Sequence, residues 1–316
     1  MTATGREGMV AASGQLMSVG TPHLSICICT FQRPELLRRL LGSLSSHRNE
    51  GVFTFSVVVA DNDAAESSRS LVAEIAAESP FPITYCVEPQ QNIALARNKA
   101  LAHASGEFVV FIDDDEYPAD NWLNYLFQTC LAYEADGVLG MVKPVFEFEP
   151  PTWVRKGGFF SRPTYLTGSR VKWPKTYSGN VLFRRKILDD VETPFRPEFA
   201  SAGEDVDFFR RMIENGNKFV WCSEAVAYEV IPPKRCTRKY LLKRALLRGS
   251  NFPKHPKHRI RNIAKSLIAV PCYTLALPVL AMFGEHVLVR YLDKLLDHVS
   301  RLLAFLGLPL MKKRET

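Results

Sequence analysis

The residues best suited to chemistry are four consecutive acids, Asp113 to Glu116, which follow the apolar run Phe108 to Ile112. Carboxylates this close together repel one another unless a cation offsets their charge. Hard oxygen ligands suit Mg²⁺ or Mn²⁺, and one or two carboxylates can hold such an ion while it bridges the phosphates of a nucleotide. The pattern therefore predicts a divalent-cation site, and a solvated acidic turn is the alternative.

The spacing of neighbouring residues argues against two other binding motifs. Counted from Asp113, the sixth residue is Pro118 where a calcium EF-hand needs Gly, and the twelfth is Asn124 where it needs Glu. After the first apolar run, residues 30–34 read Thr-Phe-Gln-Arg-Pro in place of the glycine-rich turn of a dinucleotide-binding enzyme. Neither a calcium sensor nor a dehydrogenase is indicated.

Other polar residues stand where they could contact a nucleotide. Asp61 follows the second apolar run and could accept hydrogen bonds from a base or a ribose, although a turn residue or helix cap is the alternative. Tyr240, Arg244 and Arg248 fall at i, i+4 and i+8, which puts them in one row on a helix. Cations in one row can meet a diphosphate, and the alternative is a solvated face or charge at a membrane surface.

Short apolar runs alternate with helical patterns between Leu24 and Val142, which predicts βαβ units and a mainly parallel sheet flanked by helices. The predicted strands are Leu24 to Thr30, Phe53 to Ala60, Ile83 to Val87, Phe108 to Ile112 and Val138 to Val142. The predicted helices begin near Pro34, Ser67, Asn92 and Asp120. Because ligands of such sheets bind at the carboxyl ends of the strands, the chemistry is expected just after these runs.

The second half of the sequence is less regular. Residues 143–180 are rich in Pro, Gly and aromatic residues and are predicted to form an irregular segment that covers a site. A helix is predicted from Asp205 to Asn215, closed by Gly216. Another is predicted from Thr237 to Arg248, with its first residue as N-cap and Gly249 after its end.

The order of the motifs resembles that of the inverting glycosyltransferases of family 2. The shared motifs are Thr30 to Arg33, Asp61-Asn62, Asn92 to Asn98, Asp113 to Asp115 and Gly203 to Asp205. The motifs that more narrowly resemble the succinoglycan-type exopolysaccharide sugar transferases are Ile112 to Glu116, Gly179-Asn180, Glu204-Asp205 and Glu229 to Arg235. The resemblance covers roughly residues 22–250, and several motifs in one order carry more weight than any one of them.

The resemblance implies a GT-A fold, a Rossmann-like nucleotide-binding sheet joined to an acceptor-binding half. It implies that Asp115 with Asp113 binds the metal, and that Asp205 is the catalytic base with Glu204 next in line, although an ordinary N-cap is the alternative for Asp205. The implied donor-binding residues are Thr30, Arg33, Asp61, Asn92, Arg97, Asp113 and Asn180, to which the basic row adds Arg244 and Arg248. Many members have a late His that can join the metal shell, and Glu229 is the candidate at that place here.

Length and composition predict one catalytic domain with appended segments. The chain has 316 residues, 47% of them apolar, which is enough to bury a full core. We expect a disordered tail over residues 1–21, the GT-A domain over residues 22–250, and a basic linker with apolar and amphipathic helices over residues 251–316. The seven cysteines form no CxxC pair, so a reducing cytoplasm fits better than a zinc ribbon or a disulfide framework.

The C-terminal segment is predicted to associate with a membrane. The net charge of +7 is concentrated between Lys234 and Lys265, where twelve Lys and Arg occur without an acid. Ser266 to Gly284 is uncharged over nineteen residues but contains two prolines, which favours a helix pair lying in or dipping into the membrane over a full crossing. The alternative is a helix pair buried against the catalytic domain. The basic residues would keep the site on the cytoplasmic face of the cell membrane.

Together these patterns predict an inverting, metal-dependent hexosyltransferase. Its donor is expected to be a nucleotide-sugar, UDP-glucose by resemblance alone, and its acceptor a hydroxyl group of a lipid-linked glycan in exopolysaccharide synthesis. The alternatives are the same chemistry on a soluble or protein acceptor, and a non-catalytic membrane-attached scaffold. Nucleic acid is not expected as a partner, because the basic run precedes an apolar stretch and does not alternate with stacking aromatics.

Overall fold

The computed structural model describes residues 20–47, 51–199, 203–250, 259–308 and 310. Most of the predicted tail, residues 1–19, and the predicted linker at residues 251–258 lie outside the described residues. Within the described residues, eight strands form one sheet with helices on both faces, and a helical segment follows at the C-terminal end. The predicted α/β fold is confirmed.

The first half of the sheet is parallel. Its strands are β1 (His23–Thr30), β2 (Thr54–Asp61), β3 (Ile83–Val87) and β4 (Phe108–Ile112), and the helices between them are α1 (Pro34–Ser45), α2 (Arg69–Glu78) and α3 (Ile93–His103). The strands lie in the order β3-β2-β1-β4, and each neighbouring pair is parallel. These elements are the predicted ones, because buried parallel strands produce the continuous apolar runs on which the prediction depends.

The second half of the sheet is mixed. It contains β5 (Glu116–Pro118), β6 (Gly137–Val145), β7 (Asn180–Arg184) and β8 (Phe219–Val230), with α4 (Trp122–Ala132) between β5 and β6. β7 lies antiparallel between β4 and β6, while β8 pairs parallel to β6 and antiparallel to β5. The full order is β3-β2-β1-β4-β7-β6-β8-β5. The strands β5, β7 and β8 are not predicted from the sequence, and the antiparallel insertion of β7 makes the sheet less uniformly parallel than expected.

Five further helices lie within the described residues, three of them after the last strand of the sheet. They are α5 (Thr152–Gly157), α6 (Glu204–Glu214), α7 (Arg238–Ser250), α8 (Arg259–Ala281) and α9 (Glu285–Phe305), with a 3₁₀ turn at Trp173–Lys175 and another at Pro233–Arg235. Between β6 and β7 the chain is mostly irregular apart from α5 and the first of these turns, as predicted for residues 143–180.

Alternating side chains along β1 enter two separate core layers. Leu24, Ile26 and Ile28 pack with side chains of α1 and α4, whereas Cys27 belongs to the layer that contains side chains of α3 and α6 such as Phe208. Neighbouring residues of a strand point to opposite faces, so a strand covered by helices on both sides is buried at nearly every position. The central strands are therefore fixed from both faces, which holds their carboxyl ends in place.

Two predicted helix ends are confirmed and one is wrong. Gly216 follows α6 with a φ of 96°, a left-handed conformation that favours glycine. The Thr237 hydroxyl accepts a hydrogen bond from the backbone N–H of Tyr240 at 3.2 Å, as an N-cap of α7 does. Gly249, predicted to follow α7, lies inside it. A β-carbon at this position would come within 2.4 Å of the Asp297 carbonyl oxygen on α9. The glycine permits close packing of the two helices.

The C-terminal helices form a pair of which one face remains open. α8 continues through Pro271 and Pro278 as one helix, and the chain reverses at Gly284. α9 packs against both α7 and α8. In α8, only 6% of the most apolar stretch of 18 residues is buried. By length and composition, Ile260–Ala281 is the one described helix that could cross a membrane.

Candidate active site

The candidate site lies at the carboxyl ends of β1, β2 and β4. Thr30 and Asp61, the last residues of β1 and β2, are direct partners in the parallel register. The chain returns from β3 to place β4 on the other side of β1, which makes the gap between β1 and β4 the point where ligands of open α/β sheets bind. The Thr30 hydroxyl donates a 2.9 Å hydrogen bond to Asp114 Oδ2 across this gap.

A tight turn divides the four consecutive acids into two pairs. The backbone N–H of Glu116 donates to the carbonyl oxygen of Asp113 at 3.0 Å, which closes the turn. Asp114 and Asp115 occupy its middle positions. Both form ion pairs with Arg33, whose Nη1 lies 3.0 Å from Asp114 Oδ1 and 3.4 Å from Asp115 Oδ2. Asp115 Oδ2 also accepts a 2.7 Å hydrogen bond from Arg235. The middle pair therefore faces cations supplied by the protein itself.

The outer pair, Asp113 and Glu116, meets at Gly179 instead. A β-carbon at Gly179 would lie 2.6 Å from Glu116 Oε1 and 2.8 Å from Asp113 Oδ2, so the missing side chain leaves room for both carboxylates. The Asp113 side chain is 41% exposed, whereas that of Glu116 is fully buried. Both carboxylate oxygens of Glu116 lack a hydrogen-bond partner within the described residues.

Burial and mutual repulsion favour the neutral form of two of these acids. Burial raises the pKa of Asp114 to about 7, with Arg33 opposing the shift and Asp115 adding to it. Burial also raises the pKa of Glu116 well above its usual range, and the charge of Asp113 adds to this effect. Carboxylates with such raised pKa values are stabilised in their charged form by an additional cation.

Glu229 is surrounded by two arginines. Its Oε2 accepts a hydrogen bond from Arg162 at 3.1 Å, and its Oε1 accepts one from Arg235 at 3.0 Å. The Arg162 guanidinium also lies 3.8 Å from Glu116 Oε1. Because both oxygens of Glu229 are used in these ion pairs, the structure does not support the idea that Glu229 replaces the late histidine as a metal ligand.

Arg97 connects the acidic turn to the start of α6. Its side chain is buried, forms an ion pair with Glu204, and lies 3.5 Å from Asp113 Oδ1. Glu204 is buried, which raises the pKa of its carboxyl group, while Arg97 opposes the shift. Asp205 is half-buried, and its Oδ1 accepts a 2.7 Å hydrogen bond from the backbone N–H of Val206. The two adjacent acids thus have different surroundings.

Two predicted donor-binding residues have structural contacts at the same edge of the sheet. Asp61 is fully buried, and its Oδ2 accepts hydrogen bonds from the backbone N–H of Ser68 at 2.9 Å and from the Tyr85 hydroxyl at 2.8 Å. Asn92 caps α3 by accepting a 3.0 Å hydrogen bond from the backbone N–H of Ala94. The turn-residue alternative for Asp61 is thus realised in these contacts, although both residues lie beside the site.

The side chain of Asn180 does not reach the candidate site. It is fully buried, its Oδ1 accepts a 2.8 Å hydrogen bond from the Trp122 indole, and its Nδ2 donates to the carbonyl oxygens of Met141 and Ala225, both at 2.9 Å. Because both amide hydrogens are used inside the core, its predicted donor-binding role is corrected to a structural one. Asn180 joins α4, β6 and β8.

The predicted row of arginines on α7 binds other parts of the protein. Arg244 donates to the carbonyl oxygen of Phe159 at 3.1 Å, just after α5. Arg248 forms ion pairs with Asp293 at 2.8 Å and Asp297 at 3.0 Å on α9. These contacts remove Arg248 from the predicted donor-binding set, because its guanidinium pairs with α9, and they give Arg244 a packing contact with the chain after α5.

Sequence reasoning missed three residues of the site. Arg162 comes from the irregular segment, where no periodic pattern marks it. Arg235 stands within a motif of the family resemblance, but in the sequence its charge cannot be told apart from the basic segment that begins at Lys234. Glu116 is one of four consecutive acids in the sequence, and the turn that separates it from Asp114 and Asp115 is visible only in the structure.

The residues of the site fit a Mg²⁺ or Mn²⁺ ion that takes few of its ligands from the protein. Within the described part of the chain, no three His, Cys, Asp or Glu side chains are grouped so as to hold a metal ion alone. Mg²⁺ and Mn²⁺ sites that act on nucleotides need only one or two carboxylates, with phosphate and water oxygens as the other ligands. The buried, unpartnered oxygens of Glu116 and the space at Gly179 match this requirement.

Comparison with known protein families and sequences gives one consistent result. The family model described as glycosyl transferase family 2 matches residues 25–192. The chain is 35% identical, over 230 residues, to the succinoglycan biosynthesis protein ExoM of Rhizobium meliloti strain 1021, and the match covers 72% of this chain and 74% of that protein.

Solved structures share the fold. The mannosyltransferase PcManGT from Pyrobaculum calidifontis, in complex with GDP-Man and Mn²⁺, matches with a TM-score of 0.60 and 19% identity over 90% of this chain and 88% of that one. The S. aureus TarS 1-349 crystal structure in complex with UDP-GlcNAc matches with a TM-score of 0.52 and 21% identity, over 72% of this chain and 66% of that one. At these identities the likeness concerns the fold alone.

Proposed function

Because the chain belongs to glycosyl transferase family 2, we propose that it transfers a sugar from a nucleotide-sugar to a hydroxyl group with inversion at the anomeric carbon. The observation that carries this proposal is the position of Arg97, which pairs with Glu204 at the start of α6 and approaches Asp113 at the acidic turn. One buried guanidinium thereby joins the part of the site suited to a diphosphate to the part suited to proton transfer.

Asp205 is the residue suited to act as the general base. Its neighbour Glu204 is buried against Arg97, so its charge is already used in an ion pair. Asp205 is half-buried, and its carboxylate can accept hydrogen bonds in addition to the one from the Val206 N–H. In an inverting reaction, Asp205 would take the proton of the acceptor hydroxyl as its oxygen attacks the anomeric carbon. The nucleoside diphosphate would leave on the opposite face, and no covalent intermediate is required.

The donor end of the site is proposed to lie at the acidic turn. Asp113 and Asp115 are the metal ligands that the family resemblance implies, and Mg²⁺ or Mn²⁺ held there would offset the charge of the leaving diphosphate. Thr30 and Arg33 lie beside the turn and position Asp114 and Asp115. A UDP-sugar, with UDP-glucose as the first choice, is proposed as donor; support comes from fold relatives solved with UDP-GlcNAc and with GDP-Man and Mn²⁺.

The acceptor is proposed to be a lipid-linked glycan in exopolysaccharide synthesis. The similarity to a succinoglycan biosynthesis protein supports the pathway class. The apolar face of α8 supports an acceptor held at a membrane, because Leu267, Ile268 and Leu275 are exposed there. A soluble or protein acceptor is the second possibility for the same chemistry. A non-catalytic scaffold is disfavoured, because the acidic turn and Asp205 are both retained.

Attachment through α8 is proposed to hold the enzyme at the cytoplasmic face of the cell membrane. α9 separates α8 from α7, and the acids of α9 are paired with arginines of α7 and of α9 itself. α9 is therefore suited to contact protein, and α8 to contact lipid. Lipid can cover the exposed apolar side of α8 while the basic residues before it meet anionic headgroups.

The proposed activity is tested with a panel of nucleotide-sugars. The full chain is incubated with UDP-, GDP- and dTDP-sugars, with Mn²⁺, with Mg²⁺ or with EDTA, and release of the nucleoside diphosphate is measured. We expect metal-dependent release from a UDP-sugar, which a lipid-linked glycan acceptor accelerates. Asp205→Asn serves as the matched control, because it should bind the donor without turnover. No release and no thermal stabilisation by any donor would contradict the proposal.

A further inference from the structure

We propose that Glu116, together with Asp113, directly ligates the divalent cation of this site. The inference rests on the proposed function, which supplies the nucleotide diphosphate as the other source of ligands. It goes further by giving a metal-binding role to a buried glutamate outside the pair Asp113 and Asp115. Four observations on the acidic turn and its surroundings support it.

The first observation is the geometry of the turn. Asp113 and Glu116 stand at its two ends, joined by the 3.0 Å hydrogen bond between their backbone groups. The strand pairing continues this arrangement, because Glu116 begins β5 and pairs with Glu229 of β8. The ends of a closed turn lie next to each other, so both side chains can reach one ion.

The second observation is the distribution of arginines. Arg33 contacts Asp114 at 3.0 Å and Asp115 at 3.4 Å, and Arg235 contacts Asp115 at 2.7 Å. These two guanidiniums already balance the middle pair of acids. The guanidiniums near the outer pair are more distant, with Arg97 3.5 Å from Asp113 and Arg162 3.8 Å from Glu116, so a divalent cation gains more there.

The third observation is the state of the Glu116 carboxylate. Its side chain is fully buried, and neither oxygen has a hydrogen-bond partner among the described residues. The nearest cationic group is the Arg162 guanidinium, whose Nη2 lies 3.8 Å from Oε1, beyond hydrogen-bond distance. A buried carboxylate without a hydrogen bond is costly to a fold, so such a group in a catalytic cleft indicates a partner that arrives with the substrate.

The fourth observation is the space at Gly179. The β-carbon of any larger residue would stand within 3 Å of both Asp113 Oδ2 and Glu116 Oε1. The φ of Gly179 is not in the left-handed region, so the backbone conformation does not require glycine there. The absence of a side chain is therefore explained by the two carboxylates, which meet over this residue.

Together these observations describe a site in which two carboxylates provide oxygen ligands to one cation. Phosphate and water oxygens would supply the other ligands, as is usual for Mg²⁺ and Mn²⁺ at nucleotide sites. The competing interpretation is that Glu116 serves only as a structural partner of Arg162. The two differ in what happens when the charge of Glu116 is removed in the absence of metal.

The test measures Mn²⁺ binding directly. Free Mn²⁺ is followed by its electron paramagnetic resonance signal during titration of the full chain, with and without UDP, and melting is recorded without metal. Glu116→Gln keeps the size of the side chain but removes its charge. We expect its Mn²⁺ affinity to fall by about 10-fold or more, since even outer-shell partners of a metal contribute 10- to 100-fold. Metal-free melting should not fall, because the Glu116 carboxylate makes no hydrogen bond within the described residues that the amide would lose.

Two further variants make the result specific. Gly179→Ala leaves both acids in place and fills the space between them, so it should weaken Mn²⁺ binding as Glu116→Gln does. Glu149→Gln removes an exposed acid that pairs with Arg155 and should bind Mn²⁺ as the wild type does. If Glu116→Gln melts at a lower temperature, Gly179→Ala decides: weakened Mn²⁺ binding there supports the proposal, and unchanged binding overturns it.

The outcomes separate this inference from the proposed function. Unchanged Mn²⁺ affinity in Glu116→Gln, with normal binding by the wild type, would overturn the role of Glu116 and leave a metal-dependent transferase. If the wild type itself binds no Mn²⁺ with UDP present, both the metal-dependent part of the proposed function and this inference are wrong. Nucleotide-sugar turnover in EDTA would then identify a transferase that works without the metal.

Discussion

Arg235 and Asp115, 120 positions apart in the sequence, form a 2.7 Å hydrogen-bonded ion pair in the candidate site. Arg235 ends a 3₁₀ turn directly before α7, and α7 packs on α9. The same guanidinium binds Glu229 at 3.0 Å. The acidic turn is thus tied, through one side chain, to the turn before α7, the helix on which α9 packs.

Arg235→Gln is expected to destabilise the protein strongly. Arg235 is mostly buried and serves two carboxylates, so its removal leaves both Asp115 and Glu229 with less compensation. We expect a loss of about 3 to 5 kcal/mol in the free energy of unfolding, measured by urea denaturation without metal. Arg155→Gln, which breaks the exposed pair with Glu149, should cost no more than about 1 kcal/mol. Similar losses of unfolding free energy in the two variants would contradict the idea that a buried ion pair is costlier to break than an exposed one.

Asp205→Asn should separate binding from turnover. The variant keeps the shape of the side chain but cannot accept the proton of the acceptor, so turnover should fall by about two to four orders of magnitude. Donor affinity, measured by calorimetry with UDP, should remain close to that of the wild type. If turnover is also retained, Asp205 is not the base, and Glu204 becomes the next candidate.

Gly249→Ala is expected to weaken the contact between α7 and α9. The new methyl group would lie 2.4 Å from the carbonyl oxygen of Asp297, which forces the helices apart. Overpacking of this kind costs about 1 to 3 kcal/mol, measurable by urea denaturation. Gly42→Ala is the matched control, since Gly42 lies in α1 with no atom within 4 Å of the new methyl group. It should stabilise the protein by about 0.5 to 1 kcal/mol, because alanine suits a helix interior better than glycine. A stabilising Gly249→Ala would show that the helices are less closely packed.

The exposed face of α8 should control membrane binding. Replacing Ile268 and Leu275 together by Asp leaves the packed side of the helix unchanged and should release the protein from vesicles that contain anionic lipid. Leu166→Asp, at an exposed position between α5 and β7, should leave binding unchanged. Binding is measured by co-sedimentation, followed by washes with high salt and with alkaline carbonate. Release of the wild type by salt alone would show that attachment is electrostatic and that α8 is not inserted.

His47 should make the protein less stable in mild acid. Burial lowers the pKa of His47 from its ordinary value of 6.5, with Asp120 opposing the shift. The unfolded chain therefore binds this proton more tightly than the folded protein does. The contribution of His47 to stability is present above about pH 6.5 and is lost as the pH falls through the lower folded pKa. His47→Gln should show a shallower fall in unfolding free energy between about pH 7 and pH 5, measured by urea denaturation at each pH. Parallel curves for the two proteins would contradict this assignment.

The elements whose signals are local can be predicted from the amino-acid sequence alone. β1 to β4 are continuous apolar runs because their residues are buried from both faces, and the intervening helices carry their own periodic patterns. Thr237 and Gly216 mark helix ends because a cap depends on residues a few positions away. The acidic turn could be placed at the end of β4 for the same reason, and the motif order indicated the family.

The pairing of the acids with arginines depends on the three-dimensional fold. The partners of Asp115, Glu116 and Glu204 come from positions far away in the chain, and no local pattern specifies which arginine reaches which carboxylate. The same limit explains the corrected residues. Asn180 fills a core position between distant strands, Arg248 binds acids on α9, and Gly249 is explained by a helix that begins 36 positions later, at Glu285. Contacts between remote segments depend on the assembled fold, so residue type and spacing alone could name the candidates but could not choose among their roles.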